Sequence, residues 1–279
     1  MLTISQLKDI FVKYGFHPLK RLGENYLIDS NIKDKIISES RLSREDIILE
    51  IGPGLGAVTM DLAKSGAKIF AVEKDKKAFA ILEKLAAGAS NLKLVRGDIL
   101  EFDIKDMRAS KKIKVVGNLP YYITTPIVEY LIRNRSSIGS AIIMVQREFA
   151  NRLLASPGTK DYGSLSCFVQ YYMKPSYIYT VKRTSFYPEP DVDSSLLRLD
   201  VPDTPSVDVK DEGLLFKVIR SSFNQRRKSI INSLSRKEAL DMPKKDLSDI
   251  LAGLDIDPAI RPEMLSLSKF AKIANALHG

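Results

Sequence analysis

The sequence predicts an α/β protein: a doubly wound, mostly parallel sheet, followed by a small all-α domain. Three observations carry this reading. Short apolar runs alternate with helical patterns from residue 47 to residue 145, as parallel strands joined by crossover helices require. A glycine-rich turn, Gly52-Pro53-Gly54-Leu55-Gly56, separates the first run from the first crossover helix. Beyond Val201-Pro202-Asp203-Thr204-Pro205-Ser206 the periodicity is helical throughout. That Pro-rich stretch is the best linker, and it divides the chain into 1–200 and 201–279.

The elements follow in order. Leu7, Ile10, Phe11 and Tyr14 stand at helical spacing and open the chain. A basic arm runs through Lys20 and Arg21, and a helix follows over about 30–40. The run 47–51 reads as a buried parallel strand. Over 57–65, Val58, Leu62 and Ala63 keep helical spacing, and Gly66 stands where a helix C-cap belongs. Strands are expected at 68–72, 92–95, 114–117 and 141–145. Pro126 suits the first turn of the helix after the fourth of them. Runs at 167–172, 177–181 and 196–199 read as antiparallel additions at the sheet edge. Cys167, in the first of these, is expected as a packed thiol.

Composition narrows the function. The 279 residues suffice for one large domain and one small one. One cysteine excludes an internal disulfide, and one cysteine with two histidines offers no familiar metal-ligand spacing. No apolar run approaches the ~20 residues of a membrane span. A cytoplasmic protein with neither membrane nor metal partner is expected. The net charge of +9 favours a polyanion. Residues 216–237 hold Lys217, Arg220, Arg226, Arg227, Lys228, Arg236 and Lys237 with no acid. Phe216, Ile219, Phe223 and Ile230 interleave them, so one face can pack while the cations meet phosphates.

The chemistry sits at the ends of the strands, where open α/β sheets bind ligands. Glu73 follows the second strand and suits ribose hydroxyls. Asp98 follows the third and suits an adenine amino group. Asn118-Leu119-Pro120-Tyr121 follows the fourth. Pro120 removes a backbone donor and biases Leu119 to an extended conformation. The Asn118 side-chain oxygen and the Leu119 carbonyl then form two adjacent acceptors for an exocyclic amine. Tyr121 can stack on the ring that bears it. The glycine string also fits a dinucleotide site, so a nicotinamide-dependent oxidoreductase is a rival; it leaves Asp98 and the Asn118–Tyr121 block unexplained.

Glu50–Gly56, Glu73, Asp98 and Asn118–Tyr121 resemble a class I S-adenosylmethionine-dependent methyltransferase, whose sheet has seven strands. The Asn-Leu-Pro-Tyr form is similar to that of the rRNA adenine N6-dimethyltransferases. The resemblance extends to Lys20–Leu27, Phe186–Ser194, Phe223–Lys228 and Asn232, and is nearest to the small-subunit type. Glu24 departs from it, since that family usually has Gln there. The resemblance implies dimethylation of two adjacent adenines in the 3′-terminal hairpin loop of small-subunit rRNA during ribosome biogenesis. It implies S-adenosyl-L-methionine as cofactor, held by Asn25, Leu27, Gly52, Gly54, Glu73, Asp98 and Asn118. Asn118, Leu119, Pro120 and Tyr121 would form the catalytic block, with Phe186 on the base's other face. Lys20, Arg21, Arg220, Arg226, Arg227 and Lys228 would bind RNA. The implied partner is the assembling small subunit, met by a monomer. Two alternatives share the scaffold: a large-subunit enzyme of the macrolide-resistance type, and an assembly factor that needs no transfer.

Overall fold

The computed structural model describes residues 3–18, 25–225 and 227–278. They divide into two compact units, one of residues 1–150 and 175–201, the other of 151–174 and 202–279. The linker expected at 201–206 thus stands at a change of unit. Residues 151–174, placed before that boundary from the sequence, belong with the helical unit.

The first unit is built on a seven-stranded sheet. Its strands are β2 (Ile47–Ile51), β3 (Lys68–Glu73), β4 (Leu92–Arg96), β5 (Ile113–Asn118), β6 (Ile138–Gln146), β7 (Lys174–Val181) and β9 (Ser194–Asp200). Their order is β4-β3-β2-β5-β6-β9-β7. β4, β3, β2, β5 and β6 are parallel, and β9 is antiparallel to β6. The apolar runs follow from burial on both faces: Ile48, Leu49, Ile69 and Ala71 are fully enclosed. The strand order reverses between β2 and β5, the place where an open α/β sheet leaves a crevice.

Helices α2 (Ser30–Ser40), α3 (Thr59–Lys64), α4 (Lys76–Leu85) and α5 (Thr124–Arg133) flank the sheet. Asp29 and Asp75 cap α2 and α4 by accepting backbone N–H groups. α3 ends as its glycine requires, with Gly66 at φ +78°. A two-stranded sheet stands apart: β1 (Tyr26–Leu27) pairs with β8 (Phe186–Tyr187), Tyr26 opposite Tyr187 and Leu27 opposite Phe186. Helix α1 (Ile4–Tyr14) buries Leu7 and joins Phe16, Tyr26, Leu55, Ala78 and Ile81 in one apolar cluster.

Helix α6 (Arg147–Leu154) spans the change of unit after residue 150, and the second unit is helical: α7 (Ser164–Tyr172), α8 (Glu212–Phe223), α9 (Ile230–Leu234), α10 (Lys244–Gly253) and α11 (Leu267–His278). The strand expected at 167–172 is corrected here, because those residues form α7. Tyr171 and Tyr172 both donate to the Glu212 carboxylate, at 3.2 and 2.7 Å. Adjacent residues of a strand point to opposite faces, whereas a helix lets both reach one acceptor. Aromatic packing of Phe168, Tyr171 and Tyr172 on Phe216 completes the override of β propensity. Cys167 is buried, and burial pushes its thiol up to about 11.

Gly56 marks where backbone and packing demands coincide. Its φ is +84°, and an added Cβ would lie 2.7 Å from Leu82 Cδ1. Leu82 is fully buried in α4, so the methyl has nowhere to go. Gly56→Ala is expected to cost about 1–3 kcal/mol of stability. Urea unfolding checks this, and a loss below ~0.5 kcal/mol removes the packing account.

Candidate functional site

The carboxyl ends of β2, β3, β4 and β5 open on one cavity. Its wall includes Asn25, Tyr26, Leu27, Glu50, Gly52, Gly54, Glu73, Lys74, Asp98, Asn118, Leu119, Pro120, Tyr121 and Tyr122. Every predicted cofactor residue lies in this wall, and so do the four residues of the Asn118–Tyr121 block.

Two acids hold the turn and the strand ends in register. Glu73 Oε2 accepts the Gly54 N–H at 2.9 Å, and Oε1 accepts the Asp75 N–H at 2.7 Å. Burial still raises the Glu73 carboxyl above its ordinary value, against these two bonds. Asp98 Oδ1 accepts the Leu100 N–H at 3.0 Å, and Oδ2 takes Lys74 Nζ at 2.6 Å. Burial pushes the Asp98 carboxyl up, but Lys74 and the Leu100 N–H outweigh it and hold it below the ordinary range.

The fourth strand end orients its amide. Asn118 Nδ2 donates to the Asn25 carbonyl at 3.1 Å. Oδ1 is therefore the side-chain atom left to accept. Leu119 N–H is spent on the Met144 carbonyl at 3.0 Å, with its side chain buried. Pro120 (φ −59°, ψ 130°) begins a tight turn. The Pro120 carbonyl takes the Ile123 N–H at 3.2 Å and the Thr124 hydroxyl at 3.0 Å. The Tyr121 hydroxyl shares a 2.9 Å hydrogen bond with Ser194, which is fully buried at the start of β9. This bond fixes the ring.

Phe186 is set back from this wall. It is 3% exposed, in a core with Leu27, Val181 and Leu196, and outside the cavity wall. The pairing of β8 with β1 holds it there. Tyr122, 49% exposed, is instead a further aromatic of the wall. Of the predicted RNA-binding residues, Arg220, Arg227 and Lys228 are exposed in the second unit. Lys20, Arg21 and Arg226 lie outside the described residues, as does Glu24.

Sequence reasoning missed Glu50 as a site residue. It is 3% exposed at the end of β2, with Oε2 buried and without a hydrogen-bond partner among the described residues. Its carboxyl is pushed up to about 8, chiefly by burial. The Thr59 hydroxyl, near it but not in hydrogen-bond geometry, opposes this, and the charge on Glu73 adds to it. A carboxylate inside an otherwise apolar strand was the available signal.

These features fit S-adenosyl-L-methionine. The orphaned Glu50 oxygen offers a polar contact in the cavity wall. The turn in the wall needs its glycine: Gly54 has φ +57°, and an added Cβ would meet the Tyr26 ring at 3.0 Å. Glu73 and Asp98 stand at successive strand ends for ribose and adenine. Among the described residues, no group of three or more His, Cys, Asp or Glu could hold a metal ion.

A doubly wound sheet with a glycine turn, strand-end acids and an amide-Leu-Pro-Tyr block defines a class I S-adenosyl-L-methionine-dependent methyltransferase. The sequence profile described as ribosomal RNA adenine dimethylase matches residues 16–272. A ribosomal RNA small subunit methyltransferase A from Moorella thermoacetica is 44% identical over 94% of this chain and 93% of its own. The solved dimethyladenosine transferase from Plasmodium falciparum is 28% identical (TM-score 0.78), over 89% of this chain and 95% of that one. A solved 23S rRNA methyltransferase, 24% identical with TM-score 0.72 over 91% of this chain and all of its own, shares the fold. The chain belongs to the ribosomal RNA adenine dimethylase family. It is an rRNA adenine dimethyltransferase, and the nicotinamide reading is set aside.

Glu50 yields a pH dependence. The folded chain keeps its proton up to about pH 8, against an ordinary value of 4.5. Between these values the folded state binds more protons than the unfolded one, so stability falls as pH rises through the window. Glu50→Gln keeps the shape of the neutral form. Near pH 5 its melting temperature should match the parent's, and by pH 8 it should exceed it. A gap that does not widen with pH would remove the assignment.

Proposed function

We propose that this cavity transfers methyl groups to N6 of two adjacent adenines in the 3′-terminal hairpin loop of small-subunit rRNA. The single observation that carries the reading is the Asn118 amide, whose nitrogen is tied to the Asn25 carbonyl. Its oxygen is thereby aimed, with the Leu119 carbonyl, at an incoming amine. The name and identity of the Moorella relative favour the small-subunit substrate over the large-subunit one.

S-adenosyl-L-methionine supplies an electrophilic methyl on a good sulfonium leaving group. The residues of this chain do the rest. An adenine N6 lone pair is delocalised into the ring and must be turned toward the methyl. Asn118 Oδ1 and the Leu119 carbonyl accept the two N6 hydrogens and favour charge building on nitrogen. They also hold the amine in line, which carries much of the rate. Tyr121 stacks on the extruded base, its hydroxyl anchored to Ser194. The methylated nitrogen then gives up one proton to water, one hydrogen remains, and one acceptor suffices for the second transfer. Glu73 binds the cofactor ribose and Asp98 its adenine amine. Gly52, Gly54, Asn25 and Leu27 shape the remaining wall.

The helical unit binds rRNA phosphates through Arg220, Arg227 and Lys228. Lys20, Arg21 and Arg226 are assigned the same role from the sequence. The enzyme acts as a monomer on the assembling small subunit in the cytoplasm. Among the described residues no helix is long and apolar enough to cross a membrane.

Incubating the chain with labelled donor and unmethylated small subunits, then mapping the modified nucleotides, tests the whole reading. Label outside the two adjacent adenines would overturn it. Asn118→Ala is expected to lower transfer at least ~100-fold, as loss of an oriented polar group at a reacting centre does. Donor affinity should change only a few-fold, and equal losses would make Asn118 a cofactor ligand. Arg227→Glu with Lys228→Glu should weaken rRNA binding and flatten its salt slope by about 1–2. An unchanged slope returns these cations to a solvated face.

A further inference from the structure

We propose that the outward face of β7 is a stacking platform for single-stranded RNA, separate from the catalytic cavity. The proposal rests on the reading that the substrate is rRNA. β7 ends the sheet order, with β9 as its neighbour on one side. Tyr177 and Tyr179 are 54% and 46% exposed. Alternation puts both on one face, about 7 Å apart along the strand. Two rings at that spacing can each take a base. Ile178, between them, packs on the apolar core and anchors the strand.

The rings are held rather than loose. The Tyr177 hydroxyl shares a 2.7 Å hydrogen bond with Thr180. Lys35 Nζ lies over one face of the Tyr179 ring, 5.7 Å from its centre, which leaves the other face for a base and a cation close by for its phosphate.

Charge selects the partner. No acid occurs between Asp161 and Glu189, while Lys174, Lys182 and Arg183 do. Arg183 is paired with Glu189 at 2.8 Å, so Lys35 and Lys182 are the cations offered to a phosphate backbone. A protein strand is a poorer occupant of this edge. Pro175 lacks a backbone donor and Lys174 adds charge, the features that blunt an edge against pairing. Neither tyrosine lines the cavity. Base stacking on exposed aromatics of a sheet needs no sequence readout, so the platform would hold rRNA flanking the target loop.

The test compares the full chain with Y177A/Y179A and Y177F/Y179F. Binding to a short oligouridine is measured at low salt by fluorescence anisotropy, and donor binding in parallel. The Ala pair should lose about 10- to 100-fold in oligonucleotide affinity, while the Phe pair stays within about two-fold. Donor affinity should not move in either. As a second measurement on the unaltered chain, photo-crosslinks from 4-thiouridine should map to residues 177–182. Unchanged affinity in the Ala pair, or crosslinks only elsewhere, would overturn the platform. So would loss of self-association, by sedimentation, with RNA binding intact, since that makes the edge a protein contact. A chain that binds the oligonucleotide yet transfers no methyl to rRNA refutes the catalytic reading alone.

Discussion

The hydrogen bond from the Gly54 N–H to the Glu73 carboxylate ties the turn after one strand to the end of the next. It makes the cavity a fixed shape rather than a gap between loops. A buried carboxylate needs donors, and a glycine turn has N–H groups to give. The parallel register of β2 and β3 brings the two to one height, with Ile51 opposite Val72. The turn must be glycine for a second reason, since the Tyr26 ring lies where a Cβ of Gly54 would stand. That ring comes from β1, which β8 pins from the far end of the domain. The amide of Asn118 is held by the same segment, through the Asn25 carbonyl. Turn, acid, ring and amide therefore support one another.

Much of this was legible. β2, β3, β5 and β6 could be read from apolar runs because burial on both faces removes the polar alternation that would blur them, whereas β4, at the sheet edge, is only partly buried. The chemistry-bearing residues follow strand ends, so locating the strands located Glu73, Asp98 and Asn118. Pro120 announced its turn because its ring fixes φ whatever the tertiary context. Ser194 and Tyr26 fall within the blocks of family resemblance, and the sequence alone gives no reason for their presence. The structure gives one: Ser194 holds the Tyr121 hydroxyl, and Tyr26 covers the glycine turn.

What was not legible depends on contacts between distant residues. β1 and β8 have two residues each, too short for any period, and they exist because Tyr26–Leu27 meets Phe186–Tyr187. The same pairing buries Phe186, which sequence order alone would offer to a ligand. α7 is rich in residues that favour strands, and the shared acceptor Glu212 and the ring of Phe216 help make helix the better choice. Glu50 looked like an ordinary member of the glycine motif. Its meaning lies in an environment that pushes its carboxyl to about 8.

The distribution of charge joins these strands of argument. The chain is basic, at +9, yet among the described residues the cavity wall carries Glu50, Glu73 and Asp98 against a single Lys74. Cations prevail over the acid-free stretch 216–237. A sulfonium cofactor is cationic and rRNA is polyanionic, so the acidic wall suits the first and the basic stretch suits the second. Burial holds Glu50 and Glu73 toward their neutral forms. A cation entering the cavity reverses that preference, because an opposite charge close by favours ionisation. Glu50, whose Oε2 has no hydrogen-bond partner among the described residues, is the group most open to this change, because Glu73 already accepts the Gly54 and Asp75 N–H groups. Methyl transfer turns the sulfonium into a neutral thioether. Glu50, Glu73 and Asp98 would hold a cationic donor in this wall more strongly than the neutral thioether that transfer would leave.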